Sequence, residues 1–383
     1  MRPLKTAIIG TGFMSWVHQD ALRRIGVHVT GMLGSSEAKS LAAASKYGLN
    51  RTYLSIEEVL EDSEIDCVHV CTPNQSHFDL VSRALKAGKH VLCEKPLAMD
   101  SHESAELVHL AKQFDQLATA VNYNIRFYPL CSEVRCRIQN GSLGKVLHVN
   151  GSYIQDWLLK STDYNWRVLA SQGGALRAVA DIGTHWLDLI TWMTGLRITA
   201  VCADLMTVHA VRNRPVGEIT TFSAADESVE SARKPVEIST DDYGAILLQF
   251  ENGARGSLHV SQVNAGRKNC LRFEVAGSES ACAWNSEIPN ELWMGHRDRS
   301  NETLIRDPGL LSPAAAIHAA YPGGHNEGYA DSFRGCFAAF YNAIQQRDFS
   351  GQSYPTFADG DREIRICDAI LRSHQSRSWV EVP

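Results

Sequence analysis

Two short stretches of this chain carry residue types that could do chemistry together. Glu94-Lys95-Pro96 follows directly on the apolar run His90-Val91-Leu92-Cys93, and Asp181-Ile182-Gly183-Thr184-His185 lies further on. The first puts a lysine ammonium at the carboxyl end of a strand, the edge at which open α/β sheets bind ligands. The second sets a carboxylate and an imidazole four residues apart, so that on a helix they share a face, while Trp186, Leu187, Leu189 and Ile190 supply the buried side. An imidazole has the pKa range of a base that takes a hydroxyl proton while hydride leaves a secondary alcohol. His185 is read as that base, with a nearby carboxylate to orient it or to hold a substrate hydroxyl. The same spacing also allows a helix N-cap by Asp181 with a hydrogen-bonded core histidine, or a His/Asp metal pair. No third metal ligand is evident, and no metal is expected.

A dinucleotide would supply the hydride acceptor. The strand-like run Leu4 to Ile9 ends in Gly10-Thr11-Gly12-Phe13-Met14-Ser15, and Trp16 to Ile25 has helical character. In such a unit the backbone N–H groups and the helix N-terminus face a pyrophosphate, with Gly10 making the tight turn and Gly12 allowing close approach. Ser15 stands where a third glycine is usual. A cationic nicotinamide would also lower the pKa of a buried Lys95, letting it share the hydroxyl proton. The second strand, Val27 to Leu33, ends in Gly34-Ser35-Ser36 with no carboxylate at its tip to read a ribose. Ser35, Ser36 and Lys39 could accept a 2′-phosphate, so both NAD and NADP stay open; the two serines could equally cap the helix Glu37 to Tyr47. Strand Ile65 to Cys71 ends in Thr72-Pro73-Asn74-Gln75-Ser76-His77, which is either a ligand-facing loop or a cap begun by Asn74 or Ser76 with His77 in solvent.

At 383 residues the chain is long enough for two domains, and 44% hydrophobic content is ordinary for a globular protein. A formal charge of −6 favours neither nucleic acid nor an anionic membrane. No apolar run approaches the roughly 20 residues of a membrane span, and a strand starting at Leu4 leaves no room for a signal peptide. A cytoplasmic location is expected. The ten cysteines are scattered without a Cys-x-x-Cys pair, several inside apolar runs, which suits reduced, buried thiols.

Stepping along the chain, the elements that must position these groups alternate. Helix Ile56 to Glu61, strand Ile65 to Cys71, helix Ser76 to Ala87, strand His90 to Cys93, helix Ser101 to Phe114 and strand Gln116 to Val121 follow a short strand at Arg51 to Leu54. Such alternation implies an α/β fold with a doubly wound parallel sheet over 1–123. The remainder, 124–383, reads as an α+β domain on a large, mostly antiparallel sheet. Helix Pro129 to Gln139 precedes strand-like runs at Lys145 to Ile154, Tyr243 to Phe250, Ala254 to Val263, Leu271 to Val275, Ala281 to Trp284 and Leu292 to Met294, with short turns suited to hairpins. Arg212 to Asp242 is polar and without periodicity and is read as a long loop. Helices from near Tyr329 and over Phe357 to Ser373, then a strand Ser378 to Val382, close the chain.

Taken together these residues resemble the glucose-fructose oxidoreductase and inositol dehydrogenase family, Gfo/Idh/MocA. The resemblance runs through Gly10-Thr11-Gly12, Thr72 to His77, Gly88 to Pro96, Asn124-Ile125-Arg126-Phe127-Tyr128-Pro129, Gly173-Gly174-Ala175-Leu176 and Asp181 to His185. It implies an N-terminal Rossmann domain, a C-terminal domain for substrate binding and oligomerisation, and an NAD(P)-dependent dehydrogenase of a pyranose sugar, glycoside or cyclitol. Lys95, Asp181 and His185 would be catalytic, with a Lys95-Pro96 bond often cis in relatives. Gly10, Gly12, Phe13, Met14, Ser35, Ser36, Lys39, Cys71, Thr72, Pro73, Asn74, His77, Glu94, Asn124, Trp166 and Arg167 would line the cofactor. Arg126, Tyr153, Trp166 and Arg167 would join the catalytic group at the substrate, and Trp157, Tyr164 and Trp166 suit either stacking on a sugar or a core. The polar and aromatic segment Tyr321 to Tyr329 reads either as reaching the substrate pocket, with His325, or as a Gly-rich loop before the helix near Tyr329. A homodimer or homotetramer is expected. Within the family, a redox-neutral enzyme that cleaves glycosides and a non-catalytic cofactor-sensing regulator are the alternatives.

Overall fold

Five short β/α repeats and a sixth strand open the computed structural model, which describes residues 3–216, 232–350 and 353–383. They run β1 (Lys5–Ile9), α1 (Phe13–Arg24), β2 (His28–Leu33), α2 (Glu37–Tyr47), β3 (Arg51–Tyr53), α3 (Ile56–Glu61), β4 (Cys67–Val70), α4 (His77–Lys86), β5 (His90–Cys93), α5 (Ser101–Gln113) and β6 (Thr119–Val121). The strands pair in the order β3-β2-β1-β4-β5-β6, all parallel. A parallel sheet needs cover on both faces, and β4 is accordingly buried at every position. Ser36, Ser55 and Asp100 accept the first free N–H groups of α2, α3 and α5, so these helices start where local chemistry dictates. Strand order reverses between β1 and β4, and the carboxyl ends of those two strands, Gly10 and Cys71-Thr72, mark the crevice where such sheets take ligands.

The chain forms two units. Met1–Asn122 is completed by Phe333–Ile364, a return that a reading in sequence order does not anticipate; Arg365–Pro383 and most residues between Tyr123 and Ser332 make the other.

The second unit contains α6 (Pro129–Gln139), β7 (Val146–Ile154), α7 (Ala170–Gly173), α8 (Thr184–Thr194), β8 (Ile198–Met206), β9 (Val211–Pro215), β10 (Arg233–Glu237), β11 (Tyr243–Phe250), β12 (Arg255–Ser261), β13 (Cys270–Gly277), β14 (Ala281–Asn285), β15 (Glu291–Gly295), β16 (Glu302–Ile305) and α9 (Pro313–Ala316). Helices α10 (Tyr329–Gln346) and α11 (Phe357–Ser376) and strand β17 (Val380–Glu381) end the chain. Nine strands form one sheet in the order β16-β15-β14-β13-β7-β12-β11-β8-β17, antiparallel except for β7 beside β12. In β11 the alternation is strict: Gly244, Ile246, Leu248 and Phe250 are buried while Leu247 between them is exposed. Helices α6 and α8 cover the buried face with Leu130, Val134, Trp186, Leu187 and Ile190.

Trp186 seats α8 on this sheet. Its Nε1–H donates to the Arg272 carbonyl at 2.9 Å, over Gly151, where a Cβ would stand 2.2 Å from both Arg272 O and Trp186 Nε1. Gly151→Ala therefore forces α8, and His185 with it, off the sheet. A loss of about 1–3 kcal/mol, the usual cost of overpacking, is expected in thermal or urea unfolding.

The loop expected over Arg212 to Asp242 is partly a two-stranded antiparallel ribbon of β9 and β10; residues 217–231 of it lie outside the described residues. The polar composition hid the pairing because buried charge holds the ribbon. Arg212 is fully buried and donates to the carbonyls of Leu158, Lys160 and Asp163 at 2.9–3.0 Å and to Asp242 at 2.7 Å. Arg177, also buried, donates to the same carboxylate. Beneath the ribbon Leu158, Val168 and Ile238 make a small core with Trp157 and Tyr164, so those two aromatics serve packing. Among the described residues no helix is long and apolar enough to cross a membrane.

Candidate active site

In the first unit the site begins at the β1–α1 turn. Gly10 has φ +117°, and a Cβ there would lie 2.5 Å from the Cys71 carbonyl. Helix α1 starts at Phe13, three residues before the expected Trp16, so Phe13 and Met14 form its first turn. Gly12 is the N-cap, with no side-chain hydrogen bond to the turn and no acidic residue within it. Open space surrounds the Cβ position of Gly12. Backbone N–H groups unclaimed by a cap, beside a position that tolerates close approach, fit a pyrophosphate. At the tip of β2 the Ser36 hydroxyl accepts the Lys39 N–H at 3.3 Å, so Ser36 acts as a helix cap; Ser35 and Lys39 are exposed beside it. Gly10→Ala combines a positive φ with a backbone clash, and cofactor affinity measured by fluorescence or calorimetry is expected to fall by tenfold or more.

The loop after β4 is tied down from within. Ser76 Oγ donates toward Thr72 Oγ1 at 2.7 Å and Pro73 O at 2.8 Å. His77 does not face solvent: it is fully buried, its Nδ1 2.8 Å from Pro96 O and its Nε2 3.0 Å from Thr72 O. It thus clasps the Thr72 loop to the Lys95–Pro96 turn, whose peptide bond is cis. Burial pulls the His77 pKa down against the pull of the two carbonyls. Asn74 is buried beside it.

Glu94 is buried as well. Its Oε1 accepts from Asn122 Nδ2 at 2.5 Å and lies 2.8 Å from His18 Nε2, and its Oε2 accepts the Lys95 N–H at 3.3 Å. Burial alone would raise its pKa, but the hydrogen bond and charge of His18, the Lys95 charge and Asn122 hold it at about 2. The carboxylate expected to line the cofactor is therefore engaged by the protein interior.

In the second unit Asp181 sits in a π-helical turn, Val179–Gly183, that leads into α8, so it is not the N-cap of that helix. Asp241 starts the turn by accepting the N–H groups of Arg177 and Val179 at 2.6 and 2.9 Å. Such turns recur at functional sites because they aim a side chain away from the regular helical face. Asp181 Oδ2 accepts from Gln262 Nε2 at 2.9 Å, and its Oδ1 is 3.3 Å from Arg167 Nε. Arg167 in turn lies over the Trp166 ring at 4.5 Å. His185, 9% exposed, meets the Tyr123 ring edge-on at 5.8 Å and the Tyr153 ring at 6.2 Å. Tyr153 donates to Asn269 Oδ1 at 2.7 Å, and Asn269 also accepts from Gln155, which accepts from Trp157. Burial first and the Asp181 charge second raise the Tyr153 pKa, so its hydroxyl stays protonated.

The second unit thus gathers Asp181, His185, Tyr153, Trp166 and Arg167 in one polar cluster. Three other expected positions have different surroundings. Arg126 is buried in a bidentate pair with Asp188, Nε to Oδ2 at 2.8 Å; it lacks the exposure of a substrate-facing cation. Asn124, also buried, donates to Ser332 Oγ at 2.7 Å. His325 is exposed on a loop that the buried Arg306 holds through the carbonyls of Tyr321, Pro322 and His325. Motif spacing does not reveal Asn122 and His18, which meet Glu94 in the first unit, or Gln262, Asn269 and Tyr123, which join the cluster of the second, since each comes from a distant element. Among the described residues no group of three or more His, Cys, Asp or Glu could hold a metal ion.

Comparison with known proteins gives a consistent setting. The sequence profile of the oxidoreductase family with an NAD-binding Rossmann fold matches residues 4–123, and that of the GFO/IDH/MocA C-terminal domain matches 131–282. A levoglucosan dehydrogenase of Pseudarthrobacter phenanthrenivorans is 28% identical over 100% of this chain and 99% of its own. An uncharacterised oxidoreductase of Rhizobium meliloti is 33% identical over 99% of both chains. The solved structure of a levoglucosan dehydrogenase in complex with NADH and levoglucosan superimposes with a TM-score of 0.87, at 28% identity and 100% coverage of both chains.

Proposed function

The chain belongs to the Gfo/Idh/MocA oxidoreductase family, with an NAD-binding Rossmann domain, and from that premise we propose that it oxidises a secondary hydroxyl of a sugar, anhydrosugar or cyclitol. The observation that carries this reading is the cluster of Asp181 in the π turn and His185 in the first turn of α8, an imidazole beside hydrogen-bonding and aromatic groups that suit a polyol. The relatives' named substrate points to the same class of compound.

The nicotinamide supplies the hydride acceptor when bound. The backbone from Gly10 to Met14 would hold its pyrophosphate, and Ser35, Ser36 and Lys39 would meet the adenosine ribose or a 2′-phosphate. His185 takes the carbinol proton on a ring nitrogen, and Asp181, oriented by Gln262 and Arg167, holds a neighbouring substrate hydroxyl. The Lys95 ammonium stabilises the oxygen as negative charge develops on it. Trp166, fixed under Arg167, offers a ring face to the sugar. In the reverse direction the same groups return the proton and polarise a carbonyl.

We also propose a homodimer or homotetramer through the face of the nine-stranded sheet opposite the helices, where Met206, Leu247 and Trp293 are exposed. The functional reading is tested by absorbance at the reduced-nicotinamide band with NAD and NADP against levoglucosan, methyl glycosides, free sugars and inositols. Reduction that requires a polyol is expected with at least one pair; tight cofactor binding without reduction on any polyol would move the assignment to a redox-neutral or regulatory protein.

A further inference from the structure

Behind Glu94 the first unit holds a line of polar side chains where apolar packing would suffice. His18 on α1 and His69 on β4 are both fully buried. His18 Nε2 faces Glu94 Oε1 at 2.8 Å, the Nδ1 atoms of the two histidines are 2.9 Å apart, and His69 Nε2 lies 3.0 Å from the hydroxyl of Tyr341 on α10. Phe337 packs on both imidazoles, with ring centroids 4.7 and 5.1 Å away, and Phe333 lies 6.1 Å from His18; both phenylalanines are buried, so water is kept out.

Hydrogen-bond direction along this line is constrained. A carboxylate only accepts, so His18 Nε2 carries a hydrogen. With His18 neutral, its Nδ1 accepts from His69 Nδ1–H, and His69 Nε2 accepts from the Tyr341 hydroxyl. Each of these hydrogens then has a use, and the order runs from Tyr341 to Glu94. Uptake of one proton from solvent makes His18 cationic and reverses the order: His18 Nδ1–H donates to His69, His69 Nε2–H donates to the Tyr341 oxygen, and the phenol hydrogen turns to Thr6 or Cys67. Other groups face the line. Cys71 Sγ is 3.2 Å from His18 Nδ1, Asn122 Nδ2 is 3.5 Å from His18 Nε2, Cys93 and the Lys95 charge neighbour Glu94, and Asp66 lies toward Tyr341. Burial keeps the thiols of Cys67, Cys71 and Cys93 protonated and His69 neutral.

We propose that His18, His69 and Tyr341 form a positioning relay for the Glu94–Lys95 turn: the tyrosine hydroxyl fixes the His69 tautomer, His69 fixes that of His18, and His18 holds Glu94 ionised next to Lys95. The kinetic consequence rests on the role given to Lys95 above; the ionisation of Glu94 does not. When the relay breaks, Glu94 takes up a proton, Lys95 loses its anionic neighbour, and the acid limb of kcat/KM moves to higher pH.

The test compares His18→Leu, His18→Gln, Tyr341→Phe and Leu107→Ala, reading the pH profile of kcat/KM and, without substrate, the carbon-13 titration of the Glu94 carboxyl group. His18→Leu is expected to raise both the acid limb and the Glu94 titration by at least one pH unit, with a tenfold or greater loss of kcat/KM on the acid side. Tyr341→Phe shifts both less. His18→Gln, whose amide N–H can still donate to Glu94, restores them toward the wild-type positions. Leu107→Ala, at a buried position of α5 in the same unit, lowers Tm while leaving both curves in place. A His18→Leu protein whose Glu94 titrates as in the wild type, or a Leu107→Ala protein that shifts equally, overturns the relay. If no polyol is turned over, the proposed function fails, and the carboxyl titration still decides the relay on its own.

Discussion

Replacing His185 with alanine is expected to lower kcat/KM by about 10²–10⁴-fold, the range a positioned general base contributes, while cofactor affinity stays within a few-fold of wild type. The separation of effects follows from placement. His185 belongs to α8 of the second unit, and the dinucleotide turn at Gly10 belongs to the first. Lys95→Ala is expected to lose a similar factor, because in the role proposed for it the ammonium meets a developing oxyanion and its removal raises the barrier directly. The double variant should be little worse than the poorer single one, since residues proposed to act on the same reacting hydroxyl as a unit are not additive. Stopped-flow or steady-state kinetics alongside cofactor titration measures all three. A His185→Ala protein with near wild-type kcat would exclude the imidazole as base.

The second large effect concerns stability. Asp242→Ala should cost about 3–5 kcal/mol, because it leaves the fully buried guanidinium groups of Arg177 and Arg212 without their shared carboxylate. For a unit of this size that is a Tm lower by about 6–20 °C. The damage should spread. Arg212 also holds the carbonyls of Leu158, Lys160 and Asp163, and Arg177 precedes the π turn that carries Asp181. Burial alone would raise the Asp242 pKa, but the charge and hydrogen bond of Arg177 and the charge of Arg212 keep it below the usual carboxylate range. A depressed folded-state pKa gives stability that is present above the unfolded value near 4 and lost as pH falls through the folded one. The wild type should therefore lose this increment progressively below about pH 4, and Asp242→Ala should show a flatter acid dependence in thermal unfolding.

How far these sites were visible in the sequence depends on how local their causes are. The first unit was legible because β/α alternation, serine and aspartate caps and a glycine turn each act within a few residues. The Glu94-Lys95-Pro96 and Asp181 to His185 stretches stand out as candidates for the same reason, being local runs of chemically capable side chains. The ribbon β9–β10 was not, because buried arginine rather than apolar alternation anchors it. Nor was β8, whose half-exposed pattern lacks a clean period of two. Spacing could not tell that the Arg126 guanidinium would be taken by Asp188, 62 residues away, or that His77 would be clasped between the Thr72 carbonyl and that of Pro96, 19 residues away. His18, His69 and Tyr341 meet across 51 and 272 residues, beyond any local signal.

The central claim, that hydride passes from a secondary carbinol to the nicotinamide, is tested most directly with a polyol substrate deuterated at its carbinol carbons. Reduced cofactor recovered after turnover and weighed by mass spectrometry should carry one deuterium, and His185→Ala should slow its appearance without changing the label. Product that forms while the cofactor returns oxidised and no labelled reduced form accumulates, or a cofactor that binds and never acquires deuterium from any polyol, would contradict the account.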